Sequence, residues 1–82
     1  MIKTTVKIDG MMCGMCEAHV CDAIRKAIPS AMKVKASRSK KEATFLTEDE
    51  VDAQLIEAAI KDIGYDYLGT ESETYKKRGL FG

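Results

Sequence analysis

Three cysteines within nine consecutive residues carry the most distinctive chemistry of this sequence: Cys13, Cys16 and Cys21. The first two form a C-x-x-C motif, a spacing at which two sulfur atoms can converge on one ion. An odd number of cysteines so closely grouped is a poor framework for disulfides, so we expect reduced thiols. Soft thiolates select Cu(I), zinc or iron–sulfur chemistry over hard cations, and two thiolates alone suit a d¹⁰ ion of low coordination number. The motif therefore predicts a site for one soft metal ion.

Other uses of a C-x-x-C motif fit the sequence less well. Structural zinc requires four ligands, and the chain has neither a second C-x-x-C nor a pair of histidines. Redox dithiols share the motif, but Met12, Gly14 and Met15 supply no proton-handling group, and a thioredoxin-like domain needs a longer chain. No other catalytic constellation is present. We expect a binding module and not an enzyme, with a thiol oxidoreductase as the alternative class.

Four further side chains are candidate accessory ligands. His19 follows Cys16 by three residues on a predicted helix, so the two project to neighbouring sides; a solvated histidine is the simpler interpretation. Cys21 is either an accessory thiol or an ordinary helix cysteine. Met12 and Met15 are soft side chains that either contact the metal or a partner, or are simply exposed in the loop.

The elements that must position these residues follow from hydrophobic periodicity. Alternation predicts a first strand over 2–9, and apolar residues at helical spacing predict a helix over 15–28, ended by Pro29. Alternation resumes from Met32 to Ser37 and again at Ala43 and Phe45, which predicts a hairpin turning at 39–41.

The second half of the chain contains a predicted second helix and a last strand. Thr47 to Glu50 have the form of a capping box. The predicted buried stripe of the second helix consists of Val51, Leu55, Ala59 and Ile63. Gly64 suits the left-handed residue that closes a helix, and 65–70 are predicted as strand.

The predicted order is βαββαβ, which indicates an α+β, ferredoxin-like sandwich: an antiparallel four-stranded sheet with both helices on one face. In this topology the last strand runs beside the first, which brings Gly64 and Tyr65 toward the cysteine loop. We expect one domain over 1–71 and a short flexible tail over 72–82.

The segment Gly10-Met11-Met12-Cys13-Gly14-Met15-Cys16, with Gly64-Tyr65 later in the chain, resembles the heavy-metal-associated domain of copper chaperones and P-type copper ATPases. The resemblance covers about residues 2–70. It implies that Cys13 and Cys16 hold Cu(I) and pass it by thiolate exchange to the metal-binding domain of a P-type copper ATPase. It also implies that Met11 packs inward to support the loop and that the ring of Tyr65 shields it.

The residue before the first cysteine bears on the choice of metal. Related zinc and cadmium domains tend to carry Asp there, whereas this chain has Met12, which offers no oxygen ligand. Cu(I) is therefore favoured over Zn(II) and Cd(II). Mercury-binding relatives share the scaffold, so Hg(II) and other soft d¹⁰ ions stay as alternatives. We expect a monomer. A metal-bridged dimer is the alternative, because the exposed dithiol loops of two molecules can share ions.

Charge and hydropathy bear on partners and location. Thirteen basic and thirteen acidic residues cancel, which argues against a nucleic-acid partner. The charges are segregated, however: 25–41 hold seven basic residues and no acid, while 42–73 hold ten acids and one lysine. We expect the basic region to steer docking onto an acidic partner domain. With no long apolar run and no signal-like start, the cytoplasm is the expected location, without membrane contact.

Overall fold

A computed structural model describes residues 1–12 and 14–74. The elements in chain order are β1 (Ile2–Asp9), α1 (Gly14–Ala27), β2 (Met32–Ser37), β3 (Glu42–Thr47), α2 (Ala53–Asp62) and β4 (Asp66–Thr74). The predicted βαββαβ order is confirmed, and the predicted first strand and first helix agree with β1 and α1 to within one residue at each end.

The four strands form one antiparallel sheet in the order β2-β3-β1-β4. The first strand lies in the interior, with Ile2 paired to Thr47 of β3 and Asp9 paired to Asp66 of β4. The helices contact each other and pack on the same face of the sheet. This is the predicted ferredoxin-like fold, and it places the start of β4 beside the end of β1.

One core joins the sheet to both helices. In β1 the buried positions alternate with solvent-facing ones: Thr4, Val6 and Ile8 are fully buried, as a half-buried strand requires. Helix α1 contributes Val20 and Ile24 to this core. The turn after α1 coincides with Pro29, which cannot continue a helix.

The start of α2 differs from the predicted capping box. Thr47 is the last residue of β3, 1% exposed, and its hydroxyl donates to the carbonyl oxygen of Asp49. The helix begins at Ala53, six residues after Thr47, and its N-cap is Asp52, whose carboxylate accepts the backbone N–H of Gln54 at 2.9 Å. The prediction was wrong because the Thr47 side chain is needed at a buried strand end, and Asp52 is an equally good N-cap residue.

The buried face of α2 also differs from the predicted stripe. Ile56 and Ile60 are its fully buried residues, whereas Leu55 is 51% exposed. Val51 and Ile63 only flank the core. Ile56 and Ile60 are four residues apart and so share one face of the helix, and this face packs on the core in place of the face that carries Leu55.

The last strand is longer than predicted. It runs through Thr74, which pairs with Ile2, so the sheet includes three residues that were assigned to the tail over 72–82. The rest of that predicted tail lies outside the described residues. No helix in residues 1–12 and 14–74 is long and apolar enough to cross a membrane.

Candidate metal centre

Three connecting segments meet at the end of the sheet where β1 stops. The cysteine loop follows Asp9, which pairs with Asp66 at the start of β4. The hairpin turn over 38–41 reaches the same end, because the backbone N–H of Ile8 donates to the carbonyl oxygen of Lys41 at 2.9 Å. The α2–β4 connection, Gly64 and Tyr65, is the third segment, as the topology predicts.

The α2–β4 connection is fixed by the way in which α2 ends. Gly64 has a φ of 89°, a left-handed conformation that glycine adopts at little cost. Its backbone N–H donates to the carbonyl oxygen of Lys61 at 3.0 Å, and that of Tyr65 donates to Ile60 at 3.2 Å. These two bonds form a Schellman motif. The predicted role of Gly64 is confirmed, and the motif determines where the Tyr65 side chain begins.

The ring of Tyr65 packs against the start of the cysteine loop. Gly10 has a φ of 103°, and a Cβ atom built on it would lie 3.3 Å from Cδ1 of Tyr65. The ring is half-buried against the core. Tyr65 and the loop are therefore in the contact that the topology predicts; whether the ring shields a metal stays a prediction.

The three methionines of the loop divide into one buried and two exposed side chains. Met11 is 8% exposed and belongs to the core cluster, which anchors the loop from below. Met12 and Met15 are 83% and 68% exposed. The loop thus presents two soft thioethers to solvent while a third holds it to the protein.

Of the predicted metal-binding pair, the structure describes Cys16, and Cys13 lies outside the described residues. Cys16 is the third residue of α1, half-buried, and packs against the core. The backbone N–H groups of a first helical turn have no intrahelical partners, and together with the helix dipole they favour a negatively charged group. The position of Cys16 is therefore suited to a thiolate.

The hairpin turn contacts the first turn of α1. The backbone N–H of Arg38 donates to Oε2 of Glu17 at 2.7 Å. A Cβ atom built on Gly14 would lie 3.9 Å from Nη1 of Arg38, so the guanidinium stands over the helix start. Lys41 approaches Asp9 on the other side, with Nζ 3.8 Å from Oδ1. The cysteine loop is thus bordered by cationic side chains of the hairpin.

The accessory candidates His19 and Cys21 point in different directions. His19 lies on a shallow groove between the two helices, together with Asp22 and Asp62. The Cys21 thiol faces β2, with Sγ 3.9 Å from the carbonyl oxygen of Val34, and burial raises its pKa. Within residues 1–12 and 14–74 no three His, Cys, Asp or Glu side chains are placed to hold a metal ion. Cys16, His19 and Cys21 therefore do not form a three-ligand site among themselves.

The proximity of Arg38 and Glu17 to the loop was not predicted from the sequence. In the sequence, Arg38 is distinguished only as one of seven basic residues in 25–41. Its position depends on hairpin length and on the packing of β2 beside α1, and neither leaves a local sequence signal. The sequence signal that could have predicted this contact is weak: an arginine lies in a turn, and the topology directs that turn toward the dithiol.

No family model matches the sequence. Among solved structures, the CopZ metallochaperone aligns with a TM-score of 0.71 at 24% identity, covering 80% of this chain and 98% of that one. The yeast copper transporter domain CCC2A aligns with a TM-score of 0.70 at 24% identity, covering 90% of this chain and 97% of that one. Oxidized MerP from Ralstonia metallidurans CH34 aligns with a TM-score of 0.69 at 26% identity, covering 83% of this chain and 96% of that one.

These likenesses extend over nearly the full length of each solved chain, so what they share is the whole fold and not an isolated motif. The structural neighbours of this chain are heavy-metal-associated domains of metal chaperones and metal-transporting ATPases, and the chain shares their ferredoxin-like fold.

Proposed function

We propose that this protein belongs functionally with the heavy-metal-associated domains and carries one soft metal ion, Cu(I), on the thiolates of Cys13 and Cys16. The observation that supports this most strongly is the placement of the motif. Helix α1 begins at Gly14, Cys16 lies in its first turn, and buried Met11 anchors the loop before the motif. A helix start favours thiolates, the form of cysteine that binds metals.

The choice of Cu(I) rests on the donors that surround the pair. Met12 offers a thioether and no oxygen, and it is exposed. The described residues provide no group of three ligands that would complete a tetrahedral zinc site. Two thiolates with soft neighbours suit a low-coordinate d¹⁰ ion. Hg(II), Zn(II) and Cd(II) are the alternatives that share the same two sulfur ligands.

We further propose that the ion is handed to a partner by stepwise thiolate exchange, in which each incoming thiolate forms a metal–sulfur bond as one of the original bonds breaks. Such exchange needs a site that a second protein can approach. Met12, directly before the motif, and Met15, inside it, are both exposed. The partner would be the metal-binding domain of a P-type copper ATPase. CCC2A, whose fold this chain shares, is a yeast copper transporter domain. The cytoplasm keeps thiols reduced and would suit this exchange.

Cationic side chains near the motif would favour an acidic docking surface. Arg38 and Lys41 border the loop, and Lys40 lies between them in the same exposed turn. Complementary charge raises the association rate more than the affinity, and salt weakens this effect. Docking onto an acidic metal-binding domain should slow as ionic strength rises; a rate that ignores salt would contradict steering by this surface.

The direct test is anaerobic titration of the reduced protein with Cu(I) and Zn(II) against competing chelators. The unmodified protein should bind one Cu(I) tightly, and the Cys13→Ala, Cys16→Ala double variant should lose this binding. Cys21→Ala is the matched control, since it removes a thiol of the same helix that faces β2, and it should bind as the unmodified protein does. Tight binding by the double variant would refute the proposal.

A thiol oxidoreductase is the competing class, and it predicts a different result. Such an enzyme would reduce insulin disulfides with turnover in the presence of dithiothreitol. We expect no acceleration above the dithiothreitol background, because no proton-handling side chain occurs between the two cysteines. Clear turnover that disappears in the double variant would displace the metal-carrier proposal.

A further inference from the structure

We propose that Arg38 makes the dithiol site selective for a monovalent metal ion over a divalent one. The inference rests on the proposed function, because it assigns a role to a residue beside the same site. Arg38 would not bind the metal; it would act through its charge on the complex that the two thiolates form.

The first step is the placement of the guanidinium. Nη1 of Arg38 stands 3.9 Å from the position of a Cβ atom on Gly14, the residue that separates Cys13 from Met15 and begins α1. Gly14 has no side chain, so nothing of its own lies between the arginine and the helix start. The charge is therefore placed at the N-terminal end of α1, the end that carries Cys16 in its first turn.

The second step is how this turn is held. The Glu17 carboxylate accepts the backbone N–H of Arg38, and the Lys41 carbonyl oxygen accepts the backbone N–H of Ile8. The turn is thus tied to α1 at its first residue and to β1 at its last. An arginine on a turn fixed at both ends keeps its charge near the site. On a loose loop, the same long side chain would spread its charge over a larger volume of solvent.

The third step is that no acidic side chain within residues 1–12 and 14–74 forms an ion pair with the Arg38 guanidinium. Glu17 binds the backbone amide of Arg38, and none of the four ion pairs among the described residues involves the guanidinium. Lys41, by contrast, approaches Asp9. Arg38 therefore contributes net positive potential at the helix start, in addition to the helix dipole.

The fourth step is the charge of the loaded site. Two thiolates and one Cu(I) ion leave one net negative charge, whereas two thiolates and one Zn(II) or Hg(II) ion leave none. A nearby cation stabilises the first complex and has little Coulombic effect on the second. Both metals bind to the same metal-free protein, so the charge of that state cancels in the ratio of the two affinities. For a partly exposed pair of charges, removing the cation should lower the ratio of Cu(I) to Zn(II) affinity by about three- to tenfold.

The test compares Cu(I) and Zn(II) affinities, measured by chelator competition at low salt, in four proteins. Arg38→Gln removes the charge, and Arg38→Lys retains it. Lys26→Gln is the matched control, because it removes the same charge at the opposite end of α1, about 18 Å away at 1.5 Å per residue. We expect the ratio of Cu(I) to Zn(II) affinity to fall about three- to tenfold in Arg38→Gln only.

A second measurement reports the same potential without metal. The Cys21→Ala protein is compared with the same protein carrying Arg38→Gln. For each, the rate of thiol modification by a dianionic disulfide reagent is divided by the rate with an uncharged disulfide reagent, so that differences in thiol accessibility cancel. This ratio should fall about threefold in Arg38→Gln, and added salt should reduce the difference.

The outcomes separate the two proposals. If the unmodified protein binds no soft metal through Cys13 and Cys16, the proposed function and this inference fall together. If it binds Cu(I) but Arg38→Gln weakens both metals equally or neither, and the reagent ratio is unchanged, only the role of Arg38 is refuted. A falling ratio that Arg38→Lys restores would establish it, because loss of structure alone would weaken both metals.

Discussion

Gly10 shows how one residue can fix the geometry at the edge of a binding loop. Its φ of 103° is unfavourable for a side chain, and a Cβ atom would press on the Tyr65 ring at 3.3 Å. We expect Gly10→Ala to lower the free energy of unfolding by about 1–3 kcal/mol, as measured by urea denaturation. Gly14→Ala is the control, since its Cβ would meet Arg38 at an ordinary 3.9 Å. Equal destabilisation by both changes would contradict this explanation.

The Cys21 thiol illustrates how a nearby cysteine can differ in chemistry from a metal ligand. Burial is the main cause that raises its pKa, and Arg25 only partly offsets this. A raised pKa means less thiolate at any given pH. In the Cys13→Ala, Cys16→Ala variant, alkylation by iodoacetamide should be slow at neutral pH. The pH at which its rate is half-maximal should lie above that of the single cysteine in a short unstructured peptide measured in parallel. A midpoint at or below the reference would show that the thiol is not buried as described.

At the scale of elements, hydrophobic periodicity was enough to predict the strands and helices, but not the phase of α2. The sequence 51–63 contains apolar residues on more than one face, so more than one stripe could be drawn through it. Which stripe is buried is decided by packing on the sheet. The start of the helix was ambiguous as well, because two candidate N-cap residues, Thr47 and Asp52, precede it. Tertiary burial of Thr47 decided between them, and that information is not local.

The phase of α2 can be tested with a matched pair of substitutions. Ile60→Ala removes a fully buried side chain and should cost about 2–5 kcal/mol of unfolding free energy. Leu55→Ala removes a side chain that is 51% exposed and should cost less than about 1 kcal/mol. Urea denaturation curves of the two variants give the comparison. A larger loss of unfolding free energy in Leu55→Ala would show that the stripe containing Leu55 is the buried one.

At the scale of the whole molecule, topology assembles the site from parts that are distant in sequence. The antiparallel pairing of β1 with β4 could be predicted from element order, and it correctly brought Tyr65 to the cysteine loop. The contact of the β2–β3 turn over 38–41 with α1 could not be predicted in the same way. This contact depends on the backbone geometry of the turn, including Lys41 at a φ of 57°, which carries no distinctive sequence signal.

The folded chain also gives the segregated charges of the sequence a spatial meaning. Part of the basic segment, the turn over 38–41, lies at the same end of the molecule as the cysteine motif. Elsewhere along the segment, Lys26 sits in the last turn of α1, at the opposite end of that helix. The turn over 38–41 is therefore better placed than Lys26 to influence an ion held at the motif or a partner that approaches it.

X-ray absorption at the copper edge tests the central proposal most directly, because it identifies the atoms bound to the metal. The protein would be loaded anaerobically with one equivalent of Cu(I), beside Cys21→Ala as a control. We predict a first shell made of sulfur alone, at low coordination number and identical in the control. Nitrogen or oxygen ligands in the first shell, or a sulfur shell that persists in the Cys13→Ala, Cys16→Ala variant, would contradict binding by this pair.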